Sequence, residues 1–321
     1  MNKYVGNEMQ LYYVQEMRLS GGKADGMRIL RVKNGKGLEF TLSLDRCADI
    51  AELSVKGDNY AFISPCGYVA PTYYDNKGAG FLKSFTAGFM TTCGLTSVGS
   101  PCVDNGEELP LHGTVSHIPC EKYMWHIEND EIRIKAYVRD ASLFSHKLLL
   151  EREYVCSLKE NILTLKDTVT NIGFEETPLQ MLYHCNMGYP LLSEKSILTI
   201  PSNKVYARTE HAESGIDTWH VCEEPQEGYE EMCFYHEFDE LLPTVSLYNP
   251  EIKKGIEITF DTKEMPFFTQ WKMMGAGEYV MGLEPGNCNP SGRNNMREMG
   301  KLEILKSGET KTHNLKFIFT E

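Results

Sequence analysis

A large all-β fold, an antiparallel sandwich, is what this sequence predicts, and three observations predict it. Apolar residues recur at every second position in segment after segment, the period of a strand with one buried face. Clusters of turn formers separate those segments at short intervals. Helical periodicity is scarce.

Leu38-Glu39-Phe40-Thr41-Leu42-Ser43-Leu44 shows the alternation cleanly, and Ile132-Arg133-Ile134-Lys135-Ala136-Tyr137-Val138 begins in the same way. Residues 162–170 and 255–260 follow it with local irregularities. Near the C-terminus, residues 302–305 and 315–319 read as two strands about the turn Gly308-Glu309-Thr310. Lys56-Gly57-Asp58-Asn59, Glu128-Asn129-Asp130-Glu131 and Thr170-Asn171-Ile172-Gly173 read as turns. Only Phe81 to Phe85 and His236-Glu237-Phe238 suggest single helical turns. No repeat, charge block or low-complexity linker divides the chain, so residues 1–321 read as one domain. The stretch from Phe62 to Gly113 is richest in glycine and proline. It reads as a binding surface laid over the sheets rather than a disordered insert.

Composition narrows the partners. A net charge of −13 argues against nucleic acid, whose phosphates require clustered Lys and Arg, and against an anionic membrane surface. No apolar run reaches membrane-spanning length. The start, Met1-Asn2-Lys3-Tyr4-Val5-Gly6-Asn7-Glu8, lacks the apolar core of a signal peptide, so a cytoplasmic location is expected. The ten cysteines are scattered without a C-x-x-C pair and read as buried free thiols, Cys185 and Cys288 included. No metal and no cofactor are expected from these patterns.

Three segments carry proton-transfer groups beside glycine or proline: Leu111-His112-Gly113, Tyr183-His184-Cys185-Asn186 with Gly188-Tyr189-Pro190 following, and Gly282-Leu283-Glu284-Pro285-Gly286-Asn287. His112 and His184 are 72 residues apart (184 − 112), and His184 and Glu284 are 100 apart (284 − 184), so only the fold can bring them together. Two imidazoles and a carboxylate in one cleft would supply a general acid, a general base and a polar anchor. Residues 179–186 read as a strand with Leu182, His184 and Asn186 on one face and Tyr183 and Cys185 on the other. The His184–Asn186 pair is a polar patch that sugar hydroxyls, or the protein's own groups, can satisfy. Glu284 follows the apolar strand Tyr279 to Leu283; it is either a desolvated base or a cap for the next loop. His112 either presents its ring to a ligand or sits satisfied in the core, and no third ligand at a convincing spacing makes a metal site of His112 and His117. Arg46, after an early strand, can grip vicinal hydroxyls or pair internally with Asp49. Phe267, Thr269 and Trp271 share a strand face that either stacks on a pyranose or packs in the core.

Taken in order, Asp45-Arg46-Cys47-Ala48-Asp49-Ile50, Thr92-Cys93-Gly94-Leu95 and the three segments above resemble the aldose 1-epimerase (galactose mutarotase-like) superfamily, in particular a bacterial branch without an established function. The likeness runs over nearly the whole chain. It implies a β-supersandwich whose cleft binds a free sugar. It also implies roles: His184 as general acid on the ring oxygen, Glu284 as general base on the anomeric hydroxyl, and Arg46 and His112 orienting hydroxyls. Asn186, Trp271 and Lys272 are further candidate substrate contacts. The family's sugar-binding aspartate finds no matching context, although Glu210, His211 and Asp217 lie in its interval. The implied activity is interconversion of monosaccharide anomers. The alternatives are an isomerase or epimerase acting at another carbon, with a metal on His112, His184 and Glu284, and a non-catalytic sugar-binding protein. Only Arg46, Lys272 and Arg293 lie near the motifs as possible phosphate ligands, so the expected sugar is neutral.

Overall fold

A computed structural model describes residues 3–321; Met1 and Asn2 of the N-terminal segment read above lie outside the described residues. The architecture is an antiparallel β-sandwich built from sheets of eight, seven and five strands, with two short ribbons. The eight-stranded sheet holds the segments with the cleanest alternation. In its strand Lys147–Ser157 every second residue is buried, which is the pattern the period-two reading predicts. The five-stranded sheet is the N-terminal meander from Tyr13 to Asn59. One cluster of buried apolar side chains, from Leu30 to Phe319, draws on all three sheets.

The seven-stranded sheet carries the site. Six of its strands are named here in chain order: β1 (Met90–Leu95), β2 (Thr177–Met187), β3 (Lys204–Ala207), β4 (Met232–Glu237), β5 (Phe267–Gly275) and β6 (Glu278–Gly286). They pair in the order β3-β4-β5-β6-β2, with β1 and the short strand Glu303–Leu305 both pairing with β2. Tyr183, Cys185, Phe268, Met281 and Leu283 turn one face of this sheet into the main core. The other face is covered by the glycine-rich segment, whose 3-10 turn Gly80–Lys83 packs Phe81 and Phe85 near Trp271.

Three expectations change. His236-Glu237-Phe238 is no helical turn, because His236 and Glu237 belong to β4, which pairs on both edges and leaves the backbone no freedom to coil. The last two strands about Gly308 do not join each other: Glu303–Leu305 pairs with β2, whereas Thr310–Thr320 lies between two strands of the larger sheet. Glu284 does not follow its strand but lies inside β6. Among the described residues, no helix is long and apolar enough to cross a membrane.

Candidate active site

Strand register assembles the site. Tyr206 of β3 pairs with Tyr235 of β4, Tyr235 with Thr269 of β5, and Thr269 with Glu284 of β6. The pairings Cys185 with Leu283 and Leu182 with Gly286 set His184 opposite Glu284, and His184 pairs with Thr91 of β1. One transverse row of six side chains on one face therefore reads Tyr206, Tyr235, Thr269, Glu284, His184, Thr91. The neighbouring row on the same face runs Cys233, Trp271, Gly282, Asn186. Tyr206 and Tyr235 line a hollow of about 840 Å³ at one end of the row, whereas Thr269, Glu284 and His184 further along are buried and do not line it.

Glu284 Oε1 approaches His184 Nε2 at 3.2 Å. The two groups face each other without hydrogen-bond alignment, since Oε1 has no such partner in the protein. Asn186 fixes the imidazole. Its Nδ2 donates to the His184 carbonyl at 2.8 Å, so its Oδ1 must be the atom 2.6 Å from His184 Nδ1. An amide oxygen only accepts, and Nδ1 therefore carries a proton in every state of the ring. In the neutral ring Nε2 is then a lone pair aimed at the carboxyl. Phe85, His112 and Trp271 stand roughly edge-on around this imidazole at 5.4, 5.6 and 5.2 Å between ring centres. That apolar wall desolvates both partners. Burial lowers His184 to about 4, and the hydrogen bond that its Nδ1–H donates to Asn186 opposes the shift. Burial, with Glu231 adding to it and Arg208 opposing it, holds the Glu284 carboxyl well above the usual carboxylate range. Burial thus disfavours charge on both groups, raising the carboxyl's pKa and lowering the imidazole's, so the pair is not built as an ion pair.

His112 enters from the covering segment in the left-handed region, φ 57°, next to Gly113. Its backbone is tied on both sides, N–H to the Gly99 carbonyl at 2.9 Å and carbonyl to Gly94 N–H at 3.1 Å. Its Nδ1 has no partner in the protein, and neither has Thr269 Oγ1. Burial first, then His184 and Arg208, keep the His112 ring uncharged by lowering its pKa. Glu284 Oε1, Thr269 Oγ1 and His112 Nδ1 are buried polar atoms without hydrogen-bond partners in the protein; Thr269 is the register neighbour of Glu284, and the His112 ring neighbours that of His184. Such atoms are costly unless a ligand satisfies them.

Gly282 makes the carboxyl's position possible. A Cβ there would lie 2.4 Å from Glu284 Oε1 and 2.9 Å from Trp271 Cβ. Gly282→Ala is therefore expected to push the carboxyl off its line to His184. The lost stability should be small, about 1–3 kcal/mol, because a flexible side-chain end yields first. Any activity should drop far more, roughly 100-fold. An unaltered rate in this variant would show that the carboxyl position is not critical.

Of the residues singled out in the sequence, the fold brings together His112, His184, Glu284 and Trp271. Asn186 lies behind His184, with both amide atoms engaged by that residue, so it positions the ring instead of meeting a substrate. Lys272 is a correction: neighbouring residues of a strand face opposite sides, and its Nζ donates to the Thr218 carbonyl and to Glu223, both at 3.0 Å, away from Trp271. Arg46 is another. Its guanidinium donates to the carbonyls of Ser116, Val69 and Ser84 and to Thr86 Oγ1, and it meets His117 Nε2 at 2.9 Å. Burial lowers it to about 10. With these acceptors built in, Arg46 braces the layer beneath Tyr74, Phe81 and His117 and is not a hydroxyl clamp. Asp49 does not pair with it but with Arg152, at 2.5 Å. Arg293 is held by Asp104 and Glu107, so Arg46, Lys272 and Arg293 form no shared cationic grip. No three His, Cys, Asp or Glu side chains among the described residues form a metal-binding group.

Two charged residues at the site were missed. Glu231 lies at the exposed mouth and accepts a 2.6 Å hydrogen bond from Trp271 Nε1. It falls in the interval of the superfamily's aspartate, where the sequence offered only Glu210, His211 and Asp217. Arg208 directly follows β3, and its N–H bonds the Cys233 carbonyl at 2.9 Å, which extends the second row to Arg208. Alternation from Tyr206 would have placed Arg208 on the site face.

The antiparallel sandwich is of the galactose mutarotase-like kind, the fold of solved proteins named for aldose 1-epimerase. More narrowly, the chain belongs to the family described as a domain of unknown function (DUF4432), whose model matches residues 24–318. No curated protein matches it by sequence. Among solved structures it is similar to a Klebsiella pneumoniae protein named as a candidate aldose 1-epimerase, with TM-score 0.91 and 26% identity over 98% of this chain and 86% of that one. A galactose mutarotase-like protein from Clostridium acetobutylicum gives TM-score 0.72 at 14% identity, covering 97% and 99% of the two chains. Galactose 1-epimerase from Lactobacillus acidophilus gives 0.63 at 13%, with the same coverage. The last two likenesses are of fold alone.

Proposed function

We propose that this protein interconverts the anomers of a free monosaccharide by acid/base ring opening and reclosure, with Glu284 and His184 as the proton-exchanging pair. The observation that carries the reading is the 3.2 Å approach of Glu284 Oε1 to His184 Nε2 in a desolvated wall of rings. Mutarotation removes a proton from O1 and delivers one to the ring oxygen; C1–C2 rotation and reclosure reverse both transfers. A sugar whose O1 and ring oxygen lie against this adjacent pair meets one proton donor and one acceptor, and each group recovers its starting state after reclosure. Because the cycle is symmetric, either tautomer of the pair can begin it. His112 Nδ1 and Thr269 Oγ1 supply the partners for neighbouring hydroxyls. The sandwich fold and the Klebsiella likeness support a carbohydrate substrate.

The test is anomeric exchange measured by NMR saturation transfer across a panel of aldoses. Enzyme-dependent acceleration for at least one sugar is expected, and binding without any acceleration would assign the protein to non-catalytic sugar recognition.

The resting protonation state also predicts a pH profile. The productive pair loses its base when His184 gains a proton and loses its acid when Glu284 ionises. With His184 lowered to about 4 and Glu284 held above the usual carboxylate range, the acid limb of kcat/KM should lie near 4 and the alkaline limb above the usual carboxylate range. An acid limb centred near the ordinary histidine value, about 6.5, would contradict the desolvated pair.

A further inference from the structure

The structure assigns Arg208 as a recognition residue for an anionic substituent on the sugar, a carboxylate, sulfonate or phosphate remote from the anomeric carbon. This rests on the mutarotase reading for the sugar's orientation but not for the anion contact itself. Arg208 stands on the second register row, with Cys233, Trp271 and Gly282, beside the row that carries Glu284 and His184. Three strand spacings of about 4.8 Å separate it from β6, roughly 14 Å between backbones. Its long side chain spans part of that gap, and its charge is near enough to act on both Glu284 and His112.

The side chain is held but not neutralised. Nη2 donates to Ser100 Oγ at 2.8 Å and to the Pro290 carbonyl at 3.1 Å, while Nη1 has only Cys233 Sγ at 3.9 Å. Among the described residues no carboxylate lies within 4.0 Å of it, whereas the other arginine near the cleft floor, Arg46, is ringed by acceptors. A half-buried guanidinium fixed by neutral groups, with donors still unengaged, is a preorganised anion site. Glu231 is the opposing charge at the mouth, but its carboxylate is bound to Trp271 Nε1 and forms no ion pair with Arg208. Burial lowers the pKa of both His112 and His184, so Arg208 is the fixed cation beside them. In a chain of net charge −13, such a residue offsets the general repulsion of anions at one spot. The neutral sugar expected from Arg46, Lys272 and Arg293 gives way to an acidic one recognised by a different cation.

The experiment compares matched sugars, glucose with glucuronate, glucose 6-phosphate and a 6-sulfonated glucose, and the corresponding galactose pair. Binding is measured by calorimetry on the wild-type protein and on Glu284→Gln, which separates recognition from turnover. The expected result is at least about ten-fold tighter binding of one acidic member than of its neutral partner. That preference should weaken with added salt, vanish in Arg208→Ala and survive in part in Arg208→Lys. Which acid binds identifies the substituent. Equal or stronger binding of the neutral sugars, failure of every acidic sugar to bind, or an acid preference unchanged in Arg208→Ala would each overturn the assignment. If Arg208→Ala does not fold, the wild-type preference and its salt dependence still decide. Acid-selective binding without anomeric exchange would keep this inference and reject the mutarotase reading.

Discussion

Glu284→Gln is expected to abolish anomeric exchange while leaving the fold intact and, against intuition, somewhat more stable at alkaline pH. The amide keeps the shape of the carboxyl beside Gly282 and Trp271, so no contact is lost and no cavity opens. It cannot release or accept the proton that ring opening requires. Loss of a positioned acid/base group alone is worth roughly 100- to 10,000-fold, so a drop of about 1,000-fold is the expected scale. Sugar affinity should change little, since an amide still hydrogen-bonds hydroxyls. The stability claim follows from linkage. Burial raises the folded-state pKa of Glu284 above its unfolded value, so the folded state holds a proton that the unfolded state gives up. That contribution is complete below the unfolded pKa and is lost as pH rises through the folded one. Glutamine has no such loss, so the variant's thermal midpoint should exceed wild type at about pH 8 and approach it near pH 4. His184→Asn should likewise lose exchange. An undiminished rate in Glu284→Gln would remove Glu284 from the chemistry.

Most of the sandwich was legible because strands carry a local signature. Residues 38–44, 132–138, 162–170 and 255–260 all lie in strands of the structure, apart from their last residue or so, since alternation is written in the sequence itself. What alternation does not encode is partner choice. The two C-terminal strands look like a hairpin and are not one, because a pairing 100 or more residues distant competes on equal terms with the nearest neighbour. The same reasoning divides the site. His184 stood out as a polar group inside an apolar strand, Glu284 as a carboxylate placed at the end of one, and Trp271 because strand alternation set it on a face with Phe267 and Thr269. Lys272 was misjudged by ignoring that alternation one residue further along. Arg46 could not be judged at all from sequence, since the acceptors that engage it come from residues 23 to 71 positions away. Arg208 and Glu231 sit in segments without a motif, and only the register across four strands gives them meaning.

The largest stability effect is expected behind His184. Arg152, fully buried in the strand Lys147–Ser157, grips Asp167 with two donors at 2.9 and 2.7 Å and reaches Asp49 Oδ1 at 2.5 Å, the Cys47 carbonyl at 3.0 Å and Thr92 Oγ1 at 2.7 Å. Asp49 also accepts from Thr92 N–H and Oγ1, at 2.9 and 2.6 Å, and Tyr183 Oη donates to Asp167 at 2.9 Å. One guanidinium thus ties the N-terminal meander, β1, β2 and two strands of the larger sheet, immediately beneath His184. Arg152→Met strands two buried carboxylates, whereas methionine fills most of the volume, so the loss comes from charge and not from packing. Breaking a buried pair in this way costs about 3–5 kcal/mol. For a chain of this length that is a fall of roughly 5–8 °C in thermal midpoint. Converting all three partners, Asp49→Asn, Arg152→Met and Asp167→Asn, removes the stranded charge and should be milder than Arg152→Met alone. Calorimetric scans of the two variants check both statements. A triple variant less stable than the single one would show that geometry, not uncompensated charge, dominates the cluster, and an unshifted midpoint in Arg152→Met would show that water or relaxation already screens the carboxylates.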